Sequence, residues 1–237
     1  MTTTEHTATT TTPRDGMRRT AFLAGALYLV TFLASIPALA LKGPATDDPD
    51  FVLGAGSDTG VLLGGVLDLV NALACIGTAV VLFPVVKRWG EAAALGFVTT
   101  RVLEAATIFL GVIGLLAVVT LRQDVAGATG AEATSLAVAA RSLVAVHQWT
   151  FLFGPGLMAA LNALLLGSLV YRSGLVPRGI PLMGLVGAPL LLASCIATVF
   201  GLWSQVSAVA LVLTLPVALW ELSLGLWLVV QGFGRSA

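Results

Sequence analysis

The chain has 237 residues, 57% hydrophobic and 10% charged, with a mean hydropathy of +0.99. A soluble domain carries roughly a quarter charged residues, so this composition is that of an integral membrane protein. Twelve Lys and Arg balance twelve Asp and Glu, which excludes both the basic excess of nucleic-acid binding and the acidic excess of a solvating tail.

Residues 1–16 open with eight Thr in the first twelve positions and lack the apolar side chains that would offset ordering entropy. They predict a disordered tail ahead of a single domain, 17–237. Six stretches are then long and apolar enough to cross a bilayer core about 30 Å thick. They run about 20–41, 60–86, 92–121, 143–171, 180–200 and 206–230. The fold class expected is all-α, a polytopic bundle of six transmembrane helices. Arg18-Arg19 before an apolar run ending Ile36-Pro37-Ala38-Leu39-Ala40 also resembles a cleavable secretory signal. The run exceeds the 7–15 residues of a signal core, however, and an uncleaved first span is expected.

The connections sort by charge. Arg14, Arg18, Arg19, Lys87, Arg88, Arg172, Arg178 and Arg235 fall on one side. Lys42, Arg122 and Arg141 fall on the other, with Asp47, Asp48, Asp50, Asp58, Asp124 and Glu132. The positive-inside rule then places both termini in the cytoplasm, and an even number of crossings agrees. Cys75 and Cys195 both lie within spans and read as small packing residues.

Small residues at helical spacing, such as Gly60 with Gly64 and Gly65, Gly111 with Gly114 and Ala159 with Ala163, allow helices to approach closely. Residues 22–36 and 62–76 share eight identities in fifteen. Because their spans cross in opposite directions, the match suits an inverted repeat, although Leu, Ala and Gly dominate both strings. Phe153-Gly154-Pro155-Gly156 interrupts the fourth span. Either the helix breaks there, as at many transporter sites, making His147, Gln148 and Trp149 pocket residues, or the true span starts near Gly154 and these three lie at the outer surface. Pro189 and Pro216 predict kinks in the last two spans.

A charge inside a span costs between about 2.5 and 17 kcal/mol, so each needs a reason. Asp68 in span two, Arg101 and Glu104 in span three, and Glu221 in span six are such charges, with Asn71, Asn162 and His147 as polar company. Asp68 and Asn71 share a helix face, as do Arg101 and Glu104. Depth, at about 1.5 Å per residue, groups Arg101, Glu104 and Glu221 as an inner cluster with Asn162 in the same half, and Asp68 with His147 as an outer one. Three acids against one Arg leave two uncompensated negative charges if all are ionised. Protons, a cation, or water in a cavity must supply the balance, unless Arg101 is interhelical glue and the remaining acid is neutral.

Nucleotide, zinc-protease, serine-hydrolase and dithiol motifs are missing from the sequence. One His in a span is too few for an ordinary zinc site, though carboxylates leave room for a harder metal. No cofactor is called for.

Arg101-Val102-Leu103-Glu104-Ala105, Tyr171-Arg172-Ser173-Gly174-Leu175-Val176-Pro177-Arg178, Gly184-Leu185-Val186-Gly187 and Glu221 followed by Trp227-Leu228-Val229-Val230-Gln231-Gly232-Phe233 occur in this order. Together they resemble the DUF4386 family of bacterial and archaeal multi-span membrane proteins, a family without an assigned function. Gln231 stands where the family pattern often has Lys. The resemblance implies an uncleaved first span, six helices, a plasma-membrane location, and Arg101, Glu104 and Glu221 as the family's polar positions. It supplies no reaction.

Three functions remain open. One is a small-solute or proton-linked transporter with Glu104 and Glu221 as protonatable carriers tuned by Arg101. Another is a non-catalytic bundle with a structural, sensing or partner-stabilising role. The third, an intramembrane enzyme acting on a lipid, needs Asp68, Glu104, Glu221 and His147 to converge as a metal site or acid–base set, and ranks below both. The expected partners are the bilayer and a small solute, proton or cation, with no nucleic acid. Oligomeric state is not encoded legibly.

Overall fold

In lipid, a backbone must satisfy its own N–H and C=O groups, and a single apolar stretch does so only as a helix. The computed structural model describes residues 13–48, 50–54, 57–124 and 127–234, and no strand occurs among them. Its helices are α1 (Pro13–Asp47), α2 (Thr59–Val86), α3 (Glu91–Asp124), α4 (Gly130–Phe151), α5 (Ala159–Ser173), α6 (Gly179–Val199) and α7 (Ala208–Val230). A π-helical turn, Leu152–Met158, joins α4 to α5. These elements make six helices long and apolar enough to cross a membrane, the fourth being the 44-residue run Gly130–Ser173.

Three expected boundaries move, one of them the end of α1, which runs to Asp47 instead of 41. Helix α1 begins at Pro13, inside the stretch assigned to the tail, because Pro is tolerated in a first helical turn; residues 1–12 lie outside the described residues. Helix α4 begins at Gly130, well before the expected 143, so the fourth span projects beyond the apolar stretch.

Consecutive spans run antiparallel and pack as neighbours, and α1 also packs on α7. Arg18 Nη2 donates to the carbonyls of Val229 at 3.2 Å and Val230 at 2.8 Å, which ties the start of α1 to the end of α7. Arg18, Arg19, Lys87, Arg88, Arg172 and Arg178 thus share the termini end of the bundle. Lys42, Arg122 and Arg141 belong to the far end. There Arg122 clasps the α1–α2 connection, donating to the Gly54 carbonyl through Nε at 3.2 Å and Nη2 at 2.9 Å. It also pairs with Asp58 at 2.9 Å and lies over the Phe51 ring.

Many large apolar side chains face outward, where lipid replaces water, while small residues line many of the helix contacts. Leu33, Ile113 and Val212 are 74%, 62% and 67% exposed, whereas Ala24, Ala38, Ala72 and Ala105 are fully buried. Absent side chains set the closest helix approaches. A Cβ on Gly25 would lie 2.6 Å from the Gly225 carbonyl oxygen, and one on Gly187 would lie 2.8 Å from Pro216 Cβ. Trp220 fills the space left by Gly184. Gly25→Ala is therefore expected to prise α1 from α7 and cost about 1–3 kcal/mol, measurable as a lower midpoint of unfolding in detergent.

The buried faces of α1 and α2 coincide at an offset of forty: Ala21 and Val61, Ala24 and Gly64, Tyr28 and Asp68, Thr31 and Asn71, Ala34 and Ala74. Any two helices with one buried stripe share such a pattern at some offset, so a repeat does not follow from it.

Candidate functional site

Helix α3 carries the centre of the site. Arg101 and Glu104 lie one turn apart on its buried face, 2% and 5% exposed. The guanidinium donates through Nη1 to Glu104 Oε2 at 3.0 Å and through Nη2 to Glu221 Oε1 of α7 at 2.6 Å. Tyr28 of α1 presents its ring face to the same guanidinium, 5.1 Å from the centroid, and Phe97 does so at 6.0 Å. Arg suits this place because its planar fork serves two carboxylates while its face stacks on aromatic rings. Asn162 of α5 completes the group. Its Nδ2 donates to Glu104 Oε2 at 2.6 Å, and its Oδ1 accepts from Thr100 Oγ1.

The far half of the bundle holds a second ion pair. Lys42 Nζ is paired with Asp68 Oδ2, and both side chains are buried. Sequence position had placed Lys42 in a connection because the apolar stretch ends at Leu41. The helix instead continues to Asp47, and Gly64 makes room for the lysine: a Cβ there would lie 2.8 Å from Lys42 Cγ. The antiparallel hairpin was the usable signal, since α1 and α2 turn between Asp47 and Thr59 and residues 42 and 68 lie at similar depths on either side. With Lys42 counted, these two clusters hold two positive charges, Lys42 and Arg101, and three negative ones, Asp68, Glu104 and Glu221, so with every group ionised one negative charge remains uncompensated instead of two.

His147 is buried, 7% exposed, and its Nδ1 lies 3.0 Å from the Gly111 carbonyl. A carbonyl only accepts, so Nδ1 carries the proton and Nε2 of the neutral ring is an acceptor. Gly111 permits the approach, because a Cβ there would crowd Thr150 Oγ1 at 2.7 Å and His147 Nδ1 at 3.0 Å. Gln148 and Trp149 turn outward on the same helix and are exposed. The two alternatives for this segment thus each hold in part: His147 is buried and its neighbours are exposed, yet all three line a hollow at the far end of the bundle.

The Gly-Pro-Gly string bends into the π turn instead of interrupting the span. Such a turn widens the hydrogen-bonded ring and is frequent at functional sites; Pro155, which lacks an N–H, sits within it. Gly154 lets the turn press on α3, where a Cβ would meet Thr107 Oγ1 at 2.2 Å, one turn beyond Glu104.

One cavity of about 220 Å³ connects these features. Asp68, Asn71, Arg101, Glu104, His147 and Glu221 all line it, together with Lys42, Cys75, Thr150 and Pro155. Asn162 stands behind Glu104 and does not line it. Cys75 is more than packing, since its Sγ accepts from Arg101 Nη1 at 3.6 Å. His147, Leu39 and Phe151 also line a neighbouring far-end hollow of about 570 Å³ that includes Asp47, Trp149, Trp203 and Gln205. Among the described residues, no three His, Cys, Asp or Glu side chains converge closely enough to hold a metal ion. Asp68, Glu104, Glu221 and His147 thus share the cavity without forming a metal centre among the described residues.

The fold and this cavity define a multi-pass membrane-helix bundle with a charged interior. The chain belongs to the family described as a domain of unknown function (DUF4386), whose profile matches residues 23–232. No curated protein and no solved structure matches it significantly.

Proposed function

We propose that the protein is a proton-linked carrier of a small solute, with Glu104 and Glu221 as the groups that exchange a proton and Arg101 as the fixed charge between them. The observation supporting this reading is that both ion pairs and His147 line one cavity. Charges serving only as glue would sit in dry helix contacts, where a pair needs an equal number of each sign. Here one negative charge is left over, and a proton or a cationic solute would balance it. The π turn beside Glu104 provides a place where the fourth span can change shape. The basic termini end faces the cytoplasm of a bacterial or archaeal cell in this reading, so the far-end hollow opens outward.

Proteoliposomes with a trapped pH dye test the proposal. Wild-type protein is expected to move protons faster than empty vesicles after an imposed pH step. Glu104→Gln is expected to return the rate to the empty-vesicle level while keeping wild-type helicity and elution volume. Wild-type protein indistinguishable from empty vesicles would rule out the carrier, as would a Gln variant matching wild type; a purely structural or partner-stabilising bundle would then be the better reading.

A further inference from the structure

Resting on the carrier reading, the unused hydrogen-bonding atoms of the inner cluster narrow the class of solute. Glu104 uses Oε2 for both Arg101 and Asn162, and Glu221 uses Oε1 for Arg101. The second oxygen of each carboxylate has no protein partner among the described residues, and both residues line the cavity. Of the donors nearby, Arg101 Nη1 and Nη2 are engaged by these carboxylates and the Lys42 ammonium by Asp68, while Arg101 Nε is buried without a partner. Thr31 and Thr150 hydroxyls donate to the carbonyls of Tyr28 and His147. The inner cluster therefore offers acceptors and one surplus negative charge, the complement of a protonated amine.

The rest of the lining is apolar and reaches the bundle surface. Helices α1 and α7 touch closely at Gly25 and Gly225. Farther along, α1 residues Phe32, Ile36 and Leu39 and α7 residues Thr214 and Val217 line the cavity between them. Ile36 and Leu39 are 65% and 48% exposed. They line the cavity and also face the lipid, so the cavity opens sideways between α1 and the α6–α7 pair. Leu191 of α6 is on the inner wall. Among the described residues no three His, Cys, Asp or Glu side chains converge as metal ligands, and an anion would meet the unpaired carboxylate oxygens.

We propose that the cavity binds a short-chain aliphatic amine. Its ammonium donates to the free oxygens of Glu104 and Glu221, and its hydrocarbon chain lies along Phe32, Ile36 and Leu191 toward the lateral opening. The full chain in lipid nanodiscs, titrated calorimetrically with hexylamine, hexanol, hexanoate and methylamine, tests this. Hexylamine is expected to bind saturably at one per chain, about tenfold or more tighter than the other three. Glu221→Gln should weaken hexylamine by a similar factor. Ile36→Trp, at an exposed position, should also weaken hexylamine while leaving methylamine, helicity and elution volume unchanged.

Equal binding of hexylamine and hexanol, or unchanged hexylamine affinity in Glu221→Gln, would overturn the amine. Methylamine binding as tightly as hexylamine, or unchanged hexylamine affinity in Ile36→Trp, would overturn the sideways chain site. Proton movement by wild-type vesicles without hexylamine binding rejects this inference alone. Hexylamine binding without proton movement rejects the carrier reading instead.

Discussion

Arg101→Leu is expected to cause the largest loss of stability of any single substitution within the spans. It leaves Glu104 and Glu221 facing each other with no cation between them, and removing one partner of a buried charge network costs about 3–5 kcal/mol. Tyr28 also loses the cation stacked on its ring. The measurement is reversible unfolding in mixed micelles, with monodispersity by size exclusion as a second readout. Arg101→Lys should fall between wild type and Leu, because an ammonium is a point charge that cannot match two carboxylates as a planar fork does. The triple change Arg101→Leu, Glu104→Leu, Glu221→Leu should recover most of the loss, since apolar replacement of a whole buried charge group is often neutral or stabilising. Wild-type stability in Arg101→Leu alone would show that the guanidinium does not hold α1, α3 and α7 together.

The sequence made the membrane-spanning architecture legible because the constraint behind it is severe. A bilayer core requires a long apolar helix for each crossing, and six stretches met that requirement at positions within a few residues of most observed helices. Boundaries failed where polar residues extend a helix past the apolar stretch. Gly130 to Ser142 is the main instance, since hydropathy weighs the core of a span and not its projecting end. The inner cluster was legible for a related reason. Arg101, Glu104 and Glu221 are expensive at those depths, and the i, i+3 spacing fixes the face of the first two.

Lys42 was not legible from composition, as a lysine one residue beyond an apolar stretch ordinarily reaches the interface. Only the register of the α1–α2 hairpin, and the missing side chain at Gly64, place it opposite Asp68. Tyr28 and Thr100 were hidden differently. Neither is costly in a span, so nothing marked them until the long Arg101 side chain reached the Tyr28 ring and the packing of α3 on α5 brought Thr100 to Asn162. The π turn is a third case: Gly-Pro-Gly announces irregular backbone but does not say whether the chain will break, kink or widen.

The second large effect is expected at Lys42, and it should be asymmetric. Lys42→Met leaves Asp68 as a buried carboxylate on a short stem, 7% exposed, with no route to the membrane surface, and is expected to cost about 3–5 kcal/mol. Asp68→Leu leaves the lysine instead. Lys42 lies within the last two turns of α1, which ends at Asp47, and its four-carbon stem can swing the ammonium to the far-end interface as lysines near helix ends do. Its loss should therefore be smaller, about 1–3 kcal/mol. The double change, Lys42→Met with Asp68→Leu, should be no less stable than Asp68→Leu alone, because the lysine no longer has to move. The four proteins form a double-mutant cycle read by unfolding in mixed micelles, and contact between the two sites predicts strong non-additivity. Equal losses in the two single variants would mean that Lys42 cannot reach the interface and that Gly64 confines its stem inside the bundle even when its partner is gone.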